Sequence, residues 1–360
     1  MATLTPVTRS AERAINRAAV IGAGGFIGAS LSSALADAHV DTACFTRSAR
    51  VFTDRNELSY ALRRAPVVYY LASSINPTLG EMHPEWGAAD RQLFSRLLAR
   101  LAERGDPPAV VLTSSGGTVY DQDVAPPYSE SSPVRATGRY GQAKLALEEE
   151  LFGYSGRIPG VILRLANVYG PGQVAGKGQG VLGYWMRAAL DGEPLRVIGD
   201  PACSRDYVYI TDVVDCLGRV DKALRTGELL AGRPACTDPV VLNVGSGVAT
   251  SLTELISVVC GVVGRDLPVV YAESRRMDRR HVWLDVARAC GELGWRPATS
   301  LTEGVERMWQ WTVECDRSRA SPVRQPSPPD SGLGSPQQAL AAHQRGQASW
   351  PAANVTSRWR

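Results

Sequence analysis

The chain has 360 residues, of which 44% are hydrophobic and 21% are charged. This composition is typical of a globular protein with one large domain or two medium ones. Its net charge is +3, from 39 basic and 36 acidic residues, and no run of like charge is long enough to indicate a nucleic-acid partner. Seven scattered cysteines and four histidines argue against both a disulfide framework and a metal site.

We predict neither a secretory signal nor a membrane-spanning segment from the sequence. No segment approaches the roughly 20 consecutive apolar residues that cross a bilayer. The first 17 residues lack the apolar core of a secretory signal. We therefore expect a cytoplasmic protein without a membrane partner, in which residues 1–16 form a flexible lead-in.

Short apolar runs alternate with helical stretches along most of the chain. The predicted strands cover residues 18–21, 40–45, 66–71, 109–113 and 160–165. The predicted helices between them cover residues 26–38, 84–103 and 140–152. This alternation predicts an α/β fold with a Rossmann-like, doubly wound parallel sheet and helices on both of its faces.

The same pattern predicts how the chain is divided. Residues 17–170 are expected to form a dinucleotide-binding domain, to which later segments around 204–245 return. The alternation loosens in residues 171–315, which are expected to form a smaller mixed α/β region that binds the substrate. Pro, Ser and Gly dominate further on, so residues 316–360 are predicted to be a disordered tail.

Two helices of the C-terminal region have clear N-terminal signals. Ser251 is followed three residues later by Glu254, and Ser300 by Glu303. In each pair the serine and the glutamate can cap the first backbone N–H groups of a helix reciprocally. We therefore predict that a helix begins after each serine.

A glycine-rich turn, Gly22-Ala-Gly-Gly25-Phe26-Ile27-Gly28, follows the first strand and opens the first helix. Glycine allows a tight turn, a close approach of the backbone to a pyrophosphate, and close packing of helix against strand. The N-terminus of the helix adds unpaired N–H groups and the positive end of the helix dipole. These residues are therefore predicted to bind a dinucleotide cofactor.

The end of the second strand bears on which dinucleotide is bound. An acidic residue there would bind the ribose 2′-hydroxyl of NAD, but the sequence has Thr46-Arg47-Ser48-Ala49-Arg50. A guanidinium can bind a phosphate through two parallel hydrogen bonds. Arg47 is therefore predicted to favour NADP(H). NAD(H) stays open as the alternative, because these arginines could also face solvent.

Tyr140 and Lys144 are four residues apart, on one face of a predicted helix. A nearby lysine cation and an oxidised nicotinamide ring favour the phenolate, so Tyr140 could exchange a proton with a substrate oxygen. Lys144 could also contact the nicotinamide ribose. A second hydroxyl is needed beside the substrate oxygen, and the preceding strand ends in Thr113-Ser-Ser115-Gly-Gly-Thr118. Thr118 is slightly favoured over Ser115, and both stay open.

Together these motifs resemble the extended short-chain dehydrogenases/reductases, and in particular the NAD-dependent epimerase/dehydratase family, over roughly residues 17–312. Members of that family modify sugars linked to UDP, dTDP or GDP. Four later segments are similar to family signatures: Leu163-Arg-Leu-Ala-Asn167-Val-Tyr-Gly170, Ser204-Arg205-Asp-Tyr207, Arg275-Arg-Met-Asp278 and Leu293-Gly-Trp-Arg-Pro297. The resemblance implies a nucleotide sugar as the partner of this chain.

The resemblance also implies which residues contact that sugar nucleotide. Asn167 would contact its diphosphate, and Arg205 and Tyr207 belong to a segment that binds the nucleotide. Arg275 would meet a diphosphate oxygen and Asp278 a ribose hydroxyl. Two separated arginines that converge on one diphosphate make physical sense, because charge-assisted pairs hold a dianion firmly.

The sequence departs from the family at several positions. Gly116 stands where relatives carry the catalytic Ser or Thr, and Val51 stands where they have an aspartate that contacts adenine. Asp90 lies in the region of a usual asparagine. Leu71 and Ala72 match a segment that lines the cofactor in relatives. Tyr70, just before them, stands where relatives often have a histidine. The stretch from the second strand to the next helix is short, so a strand there is expected to be eroded.

Three reactions share this scaffold. A 4-epimerase and a 4,6-dehydratase both recycle bound NAD, and a dehydratase needs an Asp-Glu pair where this chain has Gly116-Gly117. A ketoreductase draws on NADPH at each turnover, which fits Arg47 and Val51. We therefore predict an NADPH-dependent ketoreductase of a nucleotide-linked, dTDP-type 4-keto-6-deoxyhexose in deoxysugar biosynthesis.

Two alternatives stay open. One is an NAD-dependent 4-epimerase of a UDP- or dTDP-sugar. The other is a sensor that binds a dinucleotide without turnover, which the intact Tyr140 and Lys144 pair disfavours. The sequence does not determine the oligomeric state, and a homodimer is one alternative.

Overall fold

The structure is a computed structural model that describes residues 16–174, 180–231, 238–272 and 281–320. Its strands are β1 Arg17–Ile21, β2 Asp41–Phe45, β3 Val67–Tyr70, β4 Ala109–Ser115, β5 Gly160–Leu165, β6 Asn167–Tyr169, β7 Leu195–Ile198, β8 Ser204–Arg205, β9 Tyr207–Tyr209, β10 Val240–Val244, β11 Thr250–Ser251, β12 Val269–Ala272 and β13 His281–Val282. Its α-helices are α1 Phe26–Asp37, α2 Tyr60–Arg64, α3 Pro77–Met82, α4 Pro84–Ala102, α5 Arg139–Phe152, α6 Val181–Asp191, α7 Ile210–Thr226, α8 Leu252–Val263, α9 Ala287–Leu293 and α10 Leu301–Ala320.

Six parallel strands form the central sheet, in the order β2-β1-β3-β4-β5-β10. Ile21, the last residue of β1, lies opposite Phe45 at the end of β2 and Tyr70 at the end of β3, so these strands end at one edge. The strand order reverses between β1 and β3, and ligands of such sheets bind outside the carboxyl ends at that point. The predicted Rossmann-like doubly wound fold is confirmed.

Helices cover both faces of the sheet. Along β1, Ala18 and Val20 join the apolar core that contains α1 and α7, whereas Ala19 and Ile21 join the core that contains α4 and α5. A strand buried on both faces has to be apolar throughout, and this explains the continuous apolar runs in the sequence. Truncating a large side chain in either core to alanine should cost about 2–5 kcal/mol.

The predicted elements of the first domain are all present, with bounds that differ from prediction by at most two residues. Two short helices, α2 and α3, were not predicted. The strand expected to be reduced after β2 is indeed reduced. Strand β2 is the edge of the sheet, and Phe52 and Leu58 form only an isolated antiparallel bridge.

The later part of the chain divides its residues between two layers. Strand β10 pairs with β5, and α7 packs on α1, so these elements belong to the central sheet and its cover. The rest forms short pairs, in which β7 runs parallel to β12, β6 runs parallel to β9, and β8 lies between β11 and β13. Strands β6, β7 and β9 contribute to a separate apolar core, which also includes Trp185, Val259 and Met308 from the helices.

Both serines that were predicted to cap a helix accept a hydrogen bond from a backbone N–H. Ser251 accepts from the Glu254 N–H at 3.1 Å and the Glu254 carboxylate accepts from the Ser251 N–H at 2.7 Å, so this capping box is confirmed. The Ser300 hydroxyl likewise accepts from the N–H of Glu303 at 3.3 Å.

The predicted start of the disordered tail at Asp316 is wrong. Helix α10 continues to Ala320, and Arg187 of α6 donates to the Asp316 carboxylate at 3.0 Å. An ion pair with α6 therefore stabilises a helical turn that the sequence composition alone did not reveal. Residues 321–360 and the lead-in up to residue 15 lie outside the described residues. None of the helices described is long and apolar enough to span a membrane.

Candidate active site

The glycine turn lies at the carboxyl edge of the sheet, packed between strand ends. Gly22 has a φ of +98° and donates its N–H to the Phe45 carbonyl at 2.9 Å. A Cβ on Gly22 would lie 2.7 Å from the backbone nitrogen of Ala72, and one on Gly28 would lie 2.1 Å from the Gly22 carbonyl oxygen. Both distances are too short for any other residue, so the tight turn depends on glycine.

The N-terminus of α1 is open to an anion. Gly25 is its N-cap residue, no side chain caps the helix, and Gly24 and Gly25 are exposed. The N–H groups of Phe26 and Ile27 belong to the first turn, where a helix has no intrahelical acceptors. A helix N-terminus with this exposure fits the pyrophosphate of a dinucleotide. Leu71, which donates its N–H to the carbonyl of β1 at 2.9 Å, borders the same turn.

The end of β2 presents a guanidinium. Arg47 is exposed and forms no ion pair with a carboxylate of the described residues, whereas Arg50 pairs with Asp54. Val51, where the family resemblance implies an adenine-contacting aspartate, has only 2% of its surface exposed and packs in the core. Arg47 therefore has the position and the freedom to meet a phosphate.

Tyr140 and Lys144 occupy the first two turns of α5, next to the end of β4. Lys144 is buried, and its Nζ donates to the Thr113 carbonyl at 3.1 Å. The same Nζ lies 5.8 Å from the centroid of the Tyr140 ring. The structure thus brings the predicted phenol and ammonium together. A backbone carbonyl of β4 holds the ammonium in place.

Of the two candidate hydroxyls, Ser115 shares a side-chain hydrogen bond with Tyr140. The hydroxyl oxygen of Thr118 is also buried. The glycine at position 116 has a steric cause, because a Cβ there would lie 2.6 Å from Cδ1 of Leu284. A Ser or Thr at position 116 would need the Leu284 side chain to move, and Ser115 and Thr118 are the hydroxyls that the sequence offers at neighbouring positions.

Burial and charge set the protonation states at this end of the site. Burial raises the pKa of Tyr140 to about 12, the Ser115 hydrogen bond opposes that rise and the charge of Asp90 adds to it. Burial lowers the pKa of Lys144, and the carboxylates of Asp90 and Glu148 oppose that shift. The sequence predicted that the lysine would favour a phenolate. In the structure, burial is the largest influence on the pKa of Tyr140, and it favours the protonated phenol. The effect of an oxidised nicotinamide ring, which the prediction also included, stays a prediction.

A buried ion pair lies one turn beyond Tyr140 and Lys144 on α5. Glu148, at i+4 from Lys144, accepts from the hydroxyl of Ser114, and Arg164 of β5 donates to it at 2.7 Å. The side chains of both ions are at most 6% exposed. The pair fastens α5 to β4 and β5. The sequence analysis missed it, although the regular spacing of Tyr140, Lys144 and Glu148 was a usable signal.

A cavity of about 660 Å³ lies in the C-terminal region. Three of the predicted substrate-binding residues, Asn167, Arg205 and Tyr207, line it together. Tyr207 is buried, which raises its pKa to about 12 against the opposing charge of Arg205. Arg275 and Asp278, the other two predicted contacts, lie outside the described residues.

The cavity has further lining residues that the sequence analysis missed, among them Trp185 and Arg196. Arg196 is exposed between the buried Leu195 and Val197 on β7. This alternation has the period of two expected of a half-buried strand, and it could have pointed to a cation on the open face. Arg196 and Arg205 together give the cavity a positive lining suited to phosphate groups.

Metal ligands are not clustered in the part of the chain that the structure describes. No group of three or more His, Cys, Asp and Glu side chains there could hold a metal ion. The described candidate residues form two groups: the phenol, the hydroxyls and the buried charges around Tyr140, and the cationic lining of the cavity.

Comparison with known proteins agrees with this arrangement. A family model described as the NAD dependent epimerase/dehydratase family matches residues 18–229. The UDP-glucose 4-epimerase of Mycolicibacterium smegmatis is 32% identical in an alignment of 327 residues that covers 84% of this chain and 99% of that protein. The dTDP-6-deoxy-L-talose 4-dehydrogenase (NAD(P)(+)) of Kitasatospora kifunensis is 33% identical over 245 residues, covering 62% of this chain and 71% of that protein.

A solved structure is similar over the same span. The UDP-glucose 4-epimerase of Thermotoga maritima, crystallised with UDP-glucose, has 27% sequence identity and a TM-score of 0.70. The match covers 83% of this chain and 99% of that one.

Proposed function

The chain belongs to the NAD dependent epimerase/dehydratase family, and on that premise we propose that it is an NADP(H)-dependent ketoreductase of a nucleotide-linked sugar. The substrate class is a 4-keto-6-deoxyhexose carried on a nucleoside diphosphate, with dTDP as the nucleotide. The observation that carries the proposal is the exposed Arg47 at the end of β2. A ketoreductase has to exchange its cofactor at every turnover, and this position lacks the acidic residue that would select NAD.

The relative from Kitasatospora kifunensis supports the reaction type. Its name describes a dTDP-6-deoxysugar 4-dehydrogenase that uses NAD(P)(+), which is the reverse of a 4-ketone reduction. At 33% identity over 62% of this chain, that relative makes a dTDP-linked deoxysugar a reasonable substrate class here.

The catalytic residues have roles that suit ketone reduction. When it is bound, the cofactor supplies the hydride that adds to the carbonyl carbon. Tyr140 donates its phenolic proton to the carbonyl oxygen, and Ser115 hydrogen-bonds the same oxygen and orients the phenol. Lys144, held by the Thr113 carbonyl, stabilises the phenolate that remains until a solvent proton replaces the one transferred.

The cavity suits the other end of the substrate. Arg205 and Arg196 supply guanidinium groups that can bind a diphosphate, and Asn167 lines the same cavity with its amide donating to the Asp206 carbonyl at 3.1 Å. Charge-assisted hydrogen bonds of this kind are stronger than neutral ones. We extend the same role to Arg275 from the family resemblance.

A 4-epimerase of a UDP- or dTDP-sugar is the second candidate. The observation that favours it is the extent of the match to the UDP-glucose 4-epimerase of Mycolicibacterium smegmatis, which covers 99% of that protein. Both reactions would use Tyr140. The ketoreductase would use it only as a proton donor, and the epimerase would use it first as a base and then as a donor. They differ in whether external cofactor is consumed.

One set of assays distinguishes the two candidates. The purified protein is incubated with dTDP-4-keto-6-deoxyglucose and NADPH or NADH, and separately with UDP-glucose without added cofactor, and the products are separated by chromatography. We expect reduction that is faster with NADPH. Conversion of UDP-glucose to its C4 epimer, together with no oxidation of NADPH in the incubation with the 4-keto sugar, would establish the epimerase instead.

A substitution then tests the cofactor contact. Arg47→Ala should raise the KM for NADPH about 10- to 100-fold and leave the KM for NADH nearly unchanged, because a hydrogen bond to a charged group contributes about 1.5–3 kcal/mol. Arg50→Ala is the matched control, since Arg50 already pairs with Asp54. Equal effects of the two substitutions on both cofactors would remove the main support for the reductase.

A further inference from the structure

Asp90 is a buried carboxylate that the proposed reaction does not use directly. It lies on α4 with 6% of its surface exposed. Its two oxygens accept from the N–H and the hydroxyl of Ser74, both at 2.7 Å. Ser74 belongs to the loop that follows β3, at the carboxyl edge of the sheet. The carboxylate is thus fixed in position by two hydrogen bonds and shielded from water.

The groups that face Asp90 come from three elements. Helix α5, which contains Tyr140 and Lys144, packs against α4: a Cβ on Gly87, one turn before Asp90, would lie 3.1 Å from the Ala143 side chain. The charges of Asp90 and Lys144 influence each other across this contact. Strand β3 contributes Tyr70, whose hydroxyl lies 3.5 Å from the Asp90 backbone carbonyl. The loop after β3 contributes Ser74 and its neighbouring serine, both through hydrogen bonds. Among these, Lys144 is the one cation in the part of the chain described.

The charges around Lys144 balance. The buried side chains are two cations, Lys144 and Arg164, and two anions, Asp90 and Glu148. Glu148 pairs directly with Arg164, which leaves Asp90 to offset Lys144. An asparagine at position 90, the residue type that the family resemblance implies, would leave one uncompensated positive charge beside Tyr140.

We propose that Asp90 is a positioning residue that acts through Lys144: its buried carboxylate is the counter-charge that holds Lys144 as the ammonium beside the phenol of Tyr140. The site is thereby set to donate a proton to a ketone. An uncompensated ammonium would instead favour the phenolate, which is the form that begins an alcohol oxidation. The consequence for proton transfer to a ketone rests on the proposed function. The effect of the Asp90 charge on Lys144 does not.

The pKa shifts have the signs that this role requires. The negative charge of Asp90 raises the pKa of Tyr140 and opposes the lowering of the Lys144 pKa by burial. Burial raises the pKa of Asp90 itself, and Ser74 and Lys144 oppose that rise. The two hydrogen bonds from Ser74 therefore help to keep Asp90 ionised where desolvation alone would protonate it.

The unusual composition of the chain allows a direct test. Only three of the 39 basic residues are lysines, at positions 144, 177 and 222. In protein labelled with 13C at the lysine ε-carbon, three resonances titrate, and Lys144→Met identifies the one of interest. We expect Asp90→Asn to move the Lys144 titration to lower pH, because the ammonium loses its neighbouring charge.

Asp221→Asn is the matched control. Asp221 is also 6% exposed, but its carboxylate accepts from Tyr69 and pairs with Arg225 on the opposite face of the sheet. The control should leave the Lys144 titration unchanged. A Lys144 titration that is the same in wild type and Asp90→Asn overturns the proposal.

Two further measurements keep the proposal testable. If Asp90→Asn does not fold, the wild-type Lys144 resonance should still show a second inflection as Asp90 titrates at low pH, and its absence counts against the proposal. With active enzyme, alcohol oxidation by NADP⁺ should begin at lower pH in Asp90→Asn than in wild type. If no nucleotide sugar is turned over, the proposed function fails while the lysine titration still decides the role of Asp90.

Discussion

The two ends of the candidate site treat charge in opposite ways. At the end formed by β4, β5 and α5, the Glu148–Arg164 ion pair has side chains only 3% and 6% exposed. In the C-terminal region, the Arg187–Asp316 pair has side chains 41–43% exposed, and Arg196 faces the open cavity. The first end holds its charges buried and paired, and the second leaves its cations accessible.

This difference matches what each end would have to do. Buried charges in fixed positions do not reorganise when a proton is transferred, so their effect on the reacting group is large and constant. A cavity that admits a dianion has to keep its guanidinium groups hydrated and available until the ligand arrives. The comparison thus predicts large effects for substitutions at the buried end and small ones for those at exposed pairs.

The largest effect should come from the proton donor. Tyr140→Phe keeps the ring and its packing but removes the hydroxyl, so kcat should fall about 10²- to 10⁴-fold. KM for the nucleotide sugar should change little, because the cavity residues are untouched. Tyr60→Phe, at an exposed tyrosine, is the control in steady-state assays. Near-normal turnover by Tyr140→Phe would contradict the assignment of the whole buried end.

The buried ion pair should have the next largest effect, on stability. Glu148→Gln removes the charge that offsets Arg164 and should lower the free energy of unfolding by about 3–5 kcal/mol. Urea unfolding followed by circular dichroism measures this change. Glu303→Gln, which breaks an exposed pair with Arg307, is the control and should cost no more than about 1 kcal/mol. Equal costs would remove the contrast between the two ends.

The two hydroxyl candidates should differ in rate. The hydrogen bond between Ser115 and Tyr140 leads us to expect that Ser115→Ala lowers kcat about 10²-fold. Thr118→Val, which keeps the shape of the side chain, should lower kcat only slightly. The sequence analysis preferred Thr118 by a small margin, and a larger loss in Thr118→Val than in Ser115→Ala would restore that preference.

The smallest effect should come from the end of α10. Asp316→Asn weakens an ion pair that water and salt already screen, so the free energy of unfolding should fall by less than about 1 kcal/mol. The loss should shrink further at 1 M salt, where the Debye length is about 3 Å. A cost comparable to that of Glu148→Gln would show that this helix end is far better shielded than its exposure indicates.

Local patterns in the sequence determined the framework of this protein. The apolar runs predicted strands β1 to β5 of the central sheet, because a strand buried on both faces needs apolar side chains throughout. The glycine turn and the Tyr140–Lys144 pair were predictable for a related reason. Each is made by residues close together in the chain, within one turn or on one helix face. The spacing along the sequence therefore predicts which residues lie next to each other.

Contacts between distant segments were decided only by the tertiary structure. The Leu284 side chain packs close to Gly116, the charge of Asp90 influences Lys144, and Arg164 pairs with Glu148. Each contact joins elements that the sheet topology brings together from well-separated parts of the sequence. Burial then fixes the sign of the pKa shift of Tyr140, and since burial is a property of the packed interior, local sequence could not show that it favours the phenol.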